Sequence, residues 1–95
     1  MRIYLTAVIK SKPEHVAEVK AMLQNMVTES RKEAACLQYI LHQDTNNPAV
    51  FVFHEIWESR EGLELHNQQP YIQQLGAKGP ALLQEPATLY FTELI

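Results

Sequence analysis

The sequence predicts an α+β fold with one four-stranded antiparallel sheet, on three observations. Four segments are rich in β-branched and aromatic residues. Two segments repeat apolar residues at helical spacing. Their order is strand, helix, strand, strand, helix, strand.

The first strand is "RIYLTAVIK", residues 2–10. "SKPE" follows, where Ser11 and Glu14 have the spacing of a capping box and Pro13 suits a first turn. Val16, Val19, Met22, Leu23, Met26 and Val27 then recur at helical spacing, so a helix is expected to about Glu33. Its polar face carries Glu18, Lys20, Gln24 and Glu29. "CLQYILHQ" (Cys36–Gln43) reads as the second strand. "DTNNP" is a dense turn signal, and "AVFVFHEIW" (Ala49–Trp57) returns as the third, so these two form a hairpin. Ser59 caps a second helix, in which Leu63 and His66 share a face. Pro70 either kinks that helix or starts a new segment, "PYIQQLGAKG". "ATLYFTELI" (Ala87–Ile95) is the last strand. The arrangement is the split β-α-β pattern of ferredoxin-like domains, with both helices on one face of the sheet.

With 95 residues the chain is expected to be one domain, 1–95. A net charge of −3 with dispersed basic residues gives no footprint for nucleic acid. The single cysteine, Cys36, forms no internal disulfide and suits a reducing cytoplasm. No apolar run reaches membrane-spanning length, and the start of the chain is unlike a signal peptide. Four histidines without close pairing, and no CxxC, give no metal-ligand spacing. Three glycines form neither a phosphate loop nor a dinucleotide fingerprint.

A sheet covered on one face alternates apolar and polar residues. The third strand departs from this: Ala49, Val50, Phe51, Val52 and Phe53 are apolar on both faces. The last strand does too, with Leu89, Tyr90, Phe91, Leu94 and Ile95. No further helix is available as cover, and large apolar patches are rare on monomers. A two-fold homodimer, sheet against sheet, is the expected solution.

"EAACLQYILHQD" and "FVFHEIWESREGLELHNQQPY" resemble the antibiotic biosynthesis monooxygenase family. There a strand ends in a Glu-x-Trp triplet, followed by a Ser-capped helix and a His shortly before a Pro or Tyr. The resemblance covers nearly the whole chain and implies a dimeric α/β barrel. It also implies a cofactor-independent monooxygenase, using molecular oxygen on a small electron-rich aromatic such as a quinol or anthrone. The same family holds an isomerase of a phosphorylated signal, so an isomerase or degrading enzyme for a small carbonyl compound is an alternative. A dimeric ligand-binding protein without turnover is another. Haem-degrading relatives use an Asn, a Trp and a His at positions that fall on or near Ala7, His66 and Gly76. None matches, so haem degradation is not expected.

Alternation places Phe51, Phe53, Glu55 and Trp57 on one face of the third strand, and Val52, His54 and Ile56 on the other. The resemblance implies that the Trp57 face meets the helices and lines the pocket, leaving His54 at the dimer seam. His66 is the candidate base, because imidazole titrates near neutrality. Glu55, a carboxylate in an apolar strand, is a candidate second acid–base group or a partner for His66. Trp57, Phe51 and Phe53 are candidates to hold an aromatic ring, and Tyr71 and Tyr39 to bond a substrate oxygen. Each also has a structural reading. Trp57 suits a core ring, Glu55 an ion pair with Arg60 or a partner's lysine, and His66 a half-buried imidazole. The tyrosines suit core edges. His15 and His42 read as exposed, and Cys36 as a small buried hydrophobe.

Overall fold

The computed structural model describes residues 1–95. The strands are β1 (Ile3–Lys10), β2 (Cys36–Gln43), β3 (Val50–Trp57) and β4 (Thr88–Thr92). They form one antiparallel sheet in the order β2-β3-β1-β4. The helices are α1 (Val16–Ser30), α2 (Arg60–Asn67) and α3 (Pro70–Leu82). This is the ferredoxin-like α+β arrangement expected.

Burial alternates along the strands, and the helices cover one face. Leu5, Ala7 and Ile9 of β1 are buried, as are Phe51, Phe53, Glu55 and Trp57 of β3, while the intervening residues are half-exposed. The buried side chains pack with Val19, Leu23, Met26, Leu63 and Leu82 of the helices. One core therefore lies between helices and sheet.

Four local expectations are corrected. Ser11 does not cap a helix. Its backbone continues the sheet, donating to Ala49 O at 2.8 Å and bridging Leu83, and its hydroxyl donates to Lys12 O. Pro13–His15 forms a short 3-10 turn before α1. Helix α1 ends at Ser30 rather than Glu33, freeing residues 31–35 as a connector. Of the two readings of Pro70, the second holds: it opens α3 as a separate helix, where its missing N–H is harmless. Strand β4 is shorter than read, and Cys36 is only half-buried.

Two predicted local devices are present. Ser59 Oγ accepts from Gly62 N at 3.1 Å and caps α2. In the hairpin turn Asp44 Oδ2 accepts from the backbone of Asn46 and Asn47.

The sheet's other face carries Tyr4, Val8, Ile40, Val52, His54 and Ile56, with His42 and His54 in edge contact at 5.2 Å. Strand β4 is exposed along its length. In its register with β1, Tyr90 lies on this outer face and Leu89 and Phe91 on the helix side. No helix of the chain is long and apolar enough to cross a membrane.

Candidate functional site

A bulge in β2 brings the polar groups together. The register steps between Cys36 and Gln38, so Tyr39 pairs with Glu55 rather than with the outward-facing His54. Tyr39 thus enters the buried face, and Leu37 is left exposed. Its ring tilts against Phe53 at 4.8 Å and meets His66 edge-on at 5.5 Å.

Helix α2 supplies His66. Leu63, one turn earlier, anchors the same face in the core. Gly62 allows the helix to press on Ala35, because a Cβ at Gly62 would overlap Ala35 Cβ. The imidazole is 3% exposed and lies over Trp57, with ring centroids 4.3 Å apart.

The hydrogen bonds pair these residues differently from the sequence reading. His66 Nδ1 meets Glu33 Oε2 at 2.8 Å, and the Tyr71 hydroxyl donates to the same oxygen at 2.6 Å. Glu55 is no partner of His66 and forms no ion pair with Arg60; it accepts from Trp57 Nε1 at 2.9 Å. Glu33 is the residue that sequence reasoning missed. Helical periodicity puts it at the tail of α1, where a charged residue signals only a solvated end. In the structure its backbone is pinned in the α1–β2 turn, by Glu33 N to Ser30 O and Cys36 N to Glu33 O.

A cavity of about 150 Å³ opens on these groups. Tyr39, Phe53, Glu55 and His66 line it, with Leu5, Ala7 and Ile9 of β1 as apolar floor. Ile72 and Leu75 of α3, together with Ala87 and Leu89, make the outer wall. Phe51 and Trp57 are sealed in the core and do not line the cavity. The indole N–H is already committed to Glu55, and the Tyr71 hydroxyl to Glu33. Neither is free for a substrate oxygen.

The electrostatics follow from burial. His66 is held below the ordinary imidazole range by desolvation, against the opposing pull of Glu33. At neutral pH it is therefore a neutral imidazole. The Glu33 carboxylate fixes the proton on Nδ1, leaving the Nε2 lone pair as the base. Nε2 has no protein hydrogen-bond partner and is not fully buried, and His66 lines the cavity. Desolvation raises Glu55 to about 7, against the Trp57 N–H bond that favours its charge. Burial and the charge of Glu55 raise Tyr39 above the usual phenol range, so it stays protonated. Tyr71 is likewise raised, by burial and the Glu33 carboxylate it donates to. The cavity thus holds a neutral base, a carboxyl group poised near neutrality and a phenol donor on apolar walls. Proton transfer to or from a small ring substrate is the chemistry this set supports.

No group of three or more His, Cys, Asp or Glu is arranged to hold a metal ion.

Comparison with known proteins places this architecture. Residues 2–78 match the model of the antibiotic biosynthesis monooxygenase family. The chain is 36% identical over 92 residues to "Putative monooxygenase YcnE" of Bacillus subtilis, covering 97% of each. It is 36% identical over 81 residues to "Uncharacterized protein sll1783" of Synechocystis, 85% of this chain but only 55% of that protein's length. The crystal structure of PA3566 from Pseudomonas aeruginosa superposes with a TM-score of 0.93 at 31% identity, over 99% of this chain and 94% of that one.

Proposed function

The chain belongs to the antibiotic biosynthesis monooxygenase family, and we propose that it oxidises a small electron-rich aromatic of the quinol or anthrone class with molecular oxygen. One observation carries this reading: His66 is clamped at Nδ1 by Glu33, leaving Nε2 unpaired, and it lines a largely apolar cavity. Nε2 removes a phenolic proton. The resulting anion is electron-rich enough to pass electrons to oxygen without a separate reductant. A quinol and O₂ then give a hydroxyquinone and water, which balances atoms and electrons. Phe53, Leu5 and Ala7 keep water from the anion. Glu55, near half-protonated at neutrality, is placed to return a proton to reduced oxygen. Tyr39, which lines the cavity beside the buried Ser30 hydroxyl, is the candidate donor to a substrate oxygen.

Two alternatives are less well supported. An isomerase of a phosphorylated carbonyl compound needs a basic pocket, and neither Arg60 nor Lys78 lines the cavity. A ligand-binding protein without turnover would be marked by Glu55 in an ion pair and His66 without open space. Glu55 instead holds an indole N–H, and His66 lines a cavity.

The working unit is proposed to be a homodimer joined through the outer sheet face. The support is apolar exposure: Ile40 is 37% exposed and Tyr90 54%, beside the half-exposed Val52 and Ile56. His54 then lies at the seam. Light scattering that returned a monomer mass would remove this part.

Oxygen uptake with a panel of hydroquinones and anthrones tests the activity. Uptake above the spontaneous rate is expected, reduced about 10²–10⁴-fold in His66→Ala, the usual contribution of a general base. Equal turnover by His66→Ala would discard the mechanism.

A further inference from the structure

Two hollows adjoin, one of them lined by His66. The cavity of about 150 Å³ shares Ile72, Leu75 and Ala87 with a larger hollow of about 540 Å³. The larger one runs along α3 and under the segment that leads into β4. Pro80, Leu83 and Pro86 complete its apolar walls. Its polar side chains are turned to other work. Gln84 Nε2 donates to Ser11 O at 2.8 Å, and Glu85 pairs with Lys10 at 3.2 Å. No lysine or arginine lines either hollow.

We propose that the larger hollow is a subsite for a hydrocarbon chain, so that the substrate is a single-ring quinol bearing an unfunctionalised alkyl or isoprenoid tail. The ring occupies the cavity at His66 and the tail passes between Ile72, Leu75 and Ala87 into the groove. The proposal rests on the quinol reading of the His66 site and adds to it the size and polarity of the substrate.

The volumes divide the roles. An apolar cavity of about 150 Å³ is the size that takes one benzene ring. A ring there adjoins the larger hollow across the shared Ile72, Leu75 and Ala87. The combined space lies in the usual range for sites that hold drug-sized ligands, about 300–1,000 Å³. Polarity selects the occupant. A polar or anionic substituent in the groove meets no cationic side chain and mostly apolar walls, so it loses water with little return. A hydrocarbon chain gains by leaving water.

Gly76 keeps the groove open. It lines the hollow from within α3, and a Cβ built on it meets nothing within 4 Å. Glycine is a poor helix residue, so a side chain here strengthens the helix while filling the groove.

The test is a chain-length series of alkylhydroquinones, from hydrogen to heptyl, read as kcat/KM for oxygen uptake. A matching series of 4-alkylphenols is read as Kd by calorimetry, which needs no turnover. In the wild type each added methylene is expected to improve kcat/KM and Kd by about two- to fourfold until the groove is full. In Gly76→Leu the ratio between heptyl and unsubstituted compounds is expected to fall towards one. A flat series in the wild type overturns the subsite, and so does a long-chain preference that survives Gly76→Leu. If a second copy fills the groove instead, the wild-type series is flat and Gly76→Leu changes the mass in solution. Failure of the quinol reading is separable. Turnover is then absent across the first series, while the phenol affinities still rise with chain length.

Discussion

Glu33 Oε2 stands 2.8 Å from His66 Nδ1, across 33 residues of sequence, and holds the imidazole by its far side. The same oxygen accepts the Tyr71 hydroxyl at 2.6 Å, so the carboxylate is fixed from two directions. This leaves the imidazole one tautomer and one free nitrogen. The arrangement is that of a base and its orienting carboxylate, in which geometry is set before substrate arrives.

Glu33→Gln tests the clamp. Glutamine retains an acceptor for the Nδ1–H and removes the charge. Because Glu33 raises the pKa of His66 against burial, its loss moves that pKa lower still. The acid limb of the kcat/KM profile should shift to lower pH, and kcat/KM should fall about 10–100-fold, as when other orienting partners are lost. An unshifted limb would show that Glu33 only fills space.

Glu55 makes stability depend on pH. Its folded pKa is raised to about 7 from 4.5, so between these values the native state binds more protons than the unfolded chain. Stability from this group is present below about pH 4.5 and is lost as pH rises through 7, by about 3 kcal/mol. His66, with its pKa lowered, slopes the other way below its unfolded value of 6.5. Glu55→Gln keeps an acceptor for Trp57 and leaves His66 in place. Urea unfolding at pH 5 and pH 8 should therefore show the mutant relatively more stable at the higher pH. Parallel curves for the two proteins at both pH values would contradict a protonated Glu55.

Two glycines in helices should respond oppositely to alanine. At Gly76 there is open space, so Gly76→Ala should stabilise by about 0.5–1 kcal/mol through helix propensity. At Gly62 the new Cβ would overlap Ala35 Cβ. Gly62→Ala should destabilise by about 1–3 kcal/mol despite the same propensity gain. It should also lower oxygen uptake, because α2 carries His66. Thermal melts of the two variants decide this, and a stabilised Gly62→Ala would refute the close packing of α2 on Ala35.

The fold was legible because its signals are local. Periods of two and 3.6 in Val, Ile, Phe and Leu mark strands and helices wherever they occur. The Ser59 cap and the Asp44 turn are likewise short-range hydrogen bonds. The Ser11–Glu14 pair misled for a physical reason. A helix start competed with one more rung of sheet: Ser11 N donates to Ala49 O, and the bridge opposite Leu83 is closed by Lys12 N to Leu82 O and Gln84 N to Lys10 O.

By itself, then, the sequence determined the order of elements, which residues of β3 share a face, and that His66 shares a face with Leu63. Alternation and helical phase suffice for that. The structure decided that the Phe53–Glu55 face is the covered one. Tertiary structure alone decided who bonds to whom. The β2 bulge turned Tyr39 inward to face Glu55, and the early end of α1 delivered Glu33 to His66 and Tyr71. It also gave Glu55 to Trp57 rather than to the histidine. Such pairings depend on register and loop path, and one residue of slip reverses every side chain on a strand.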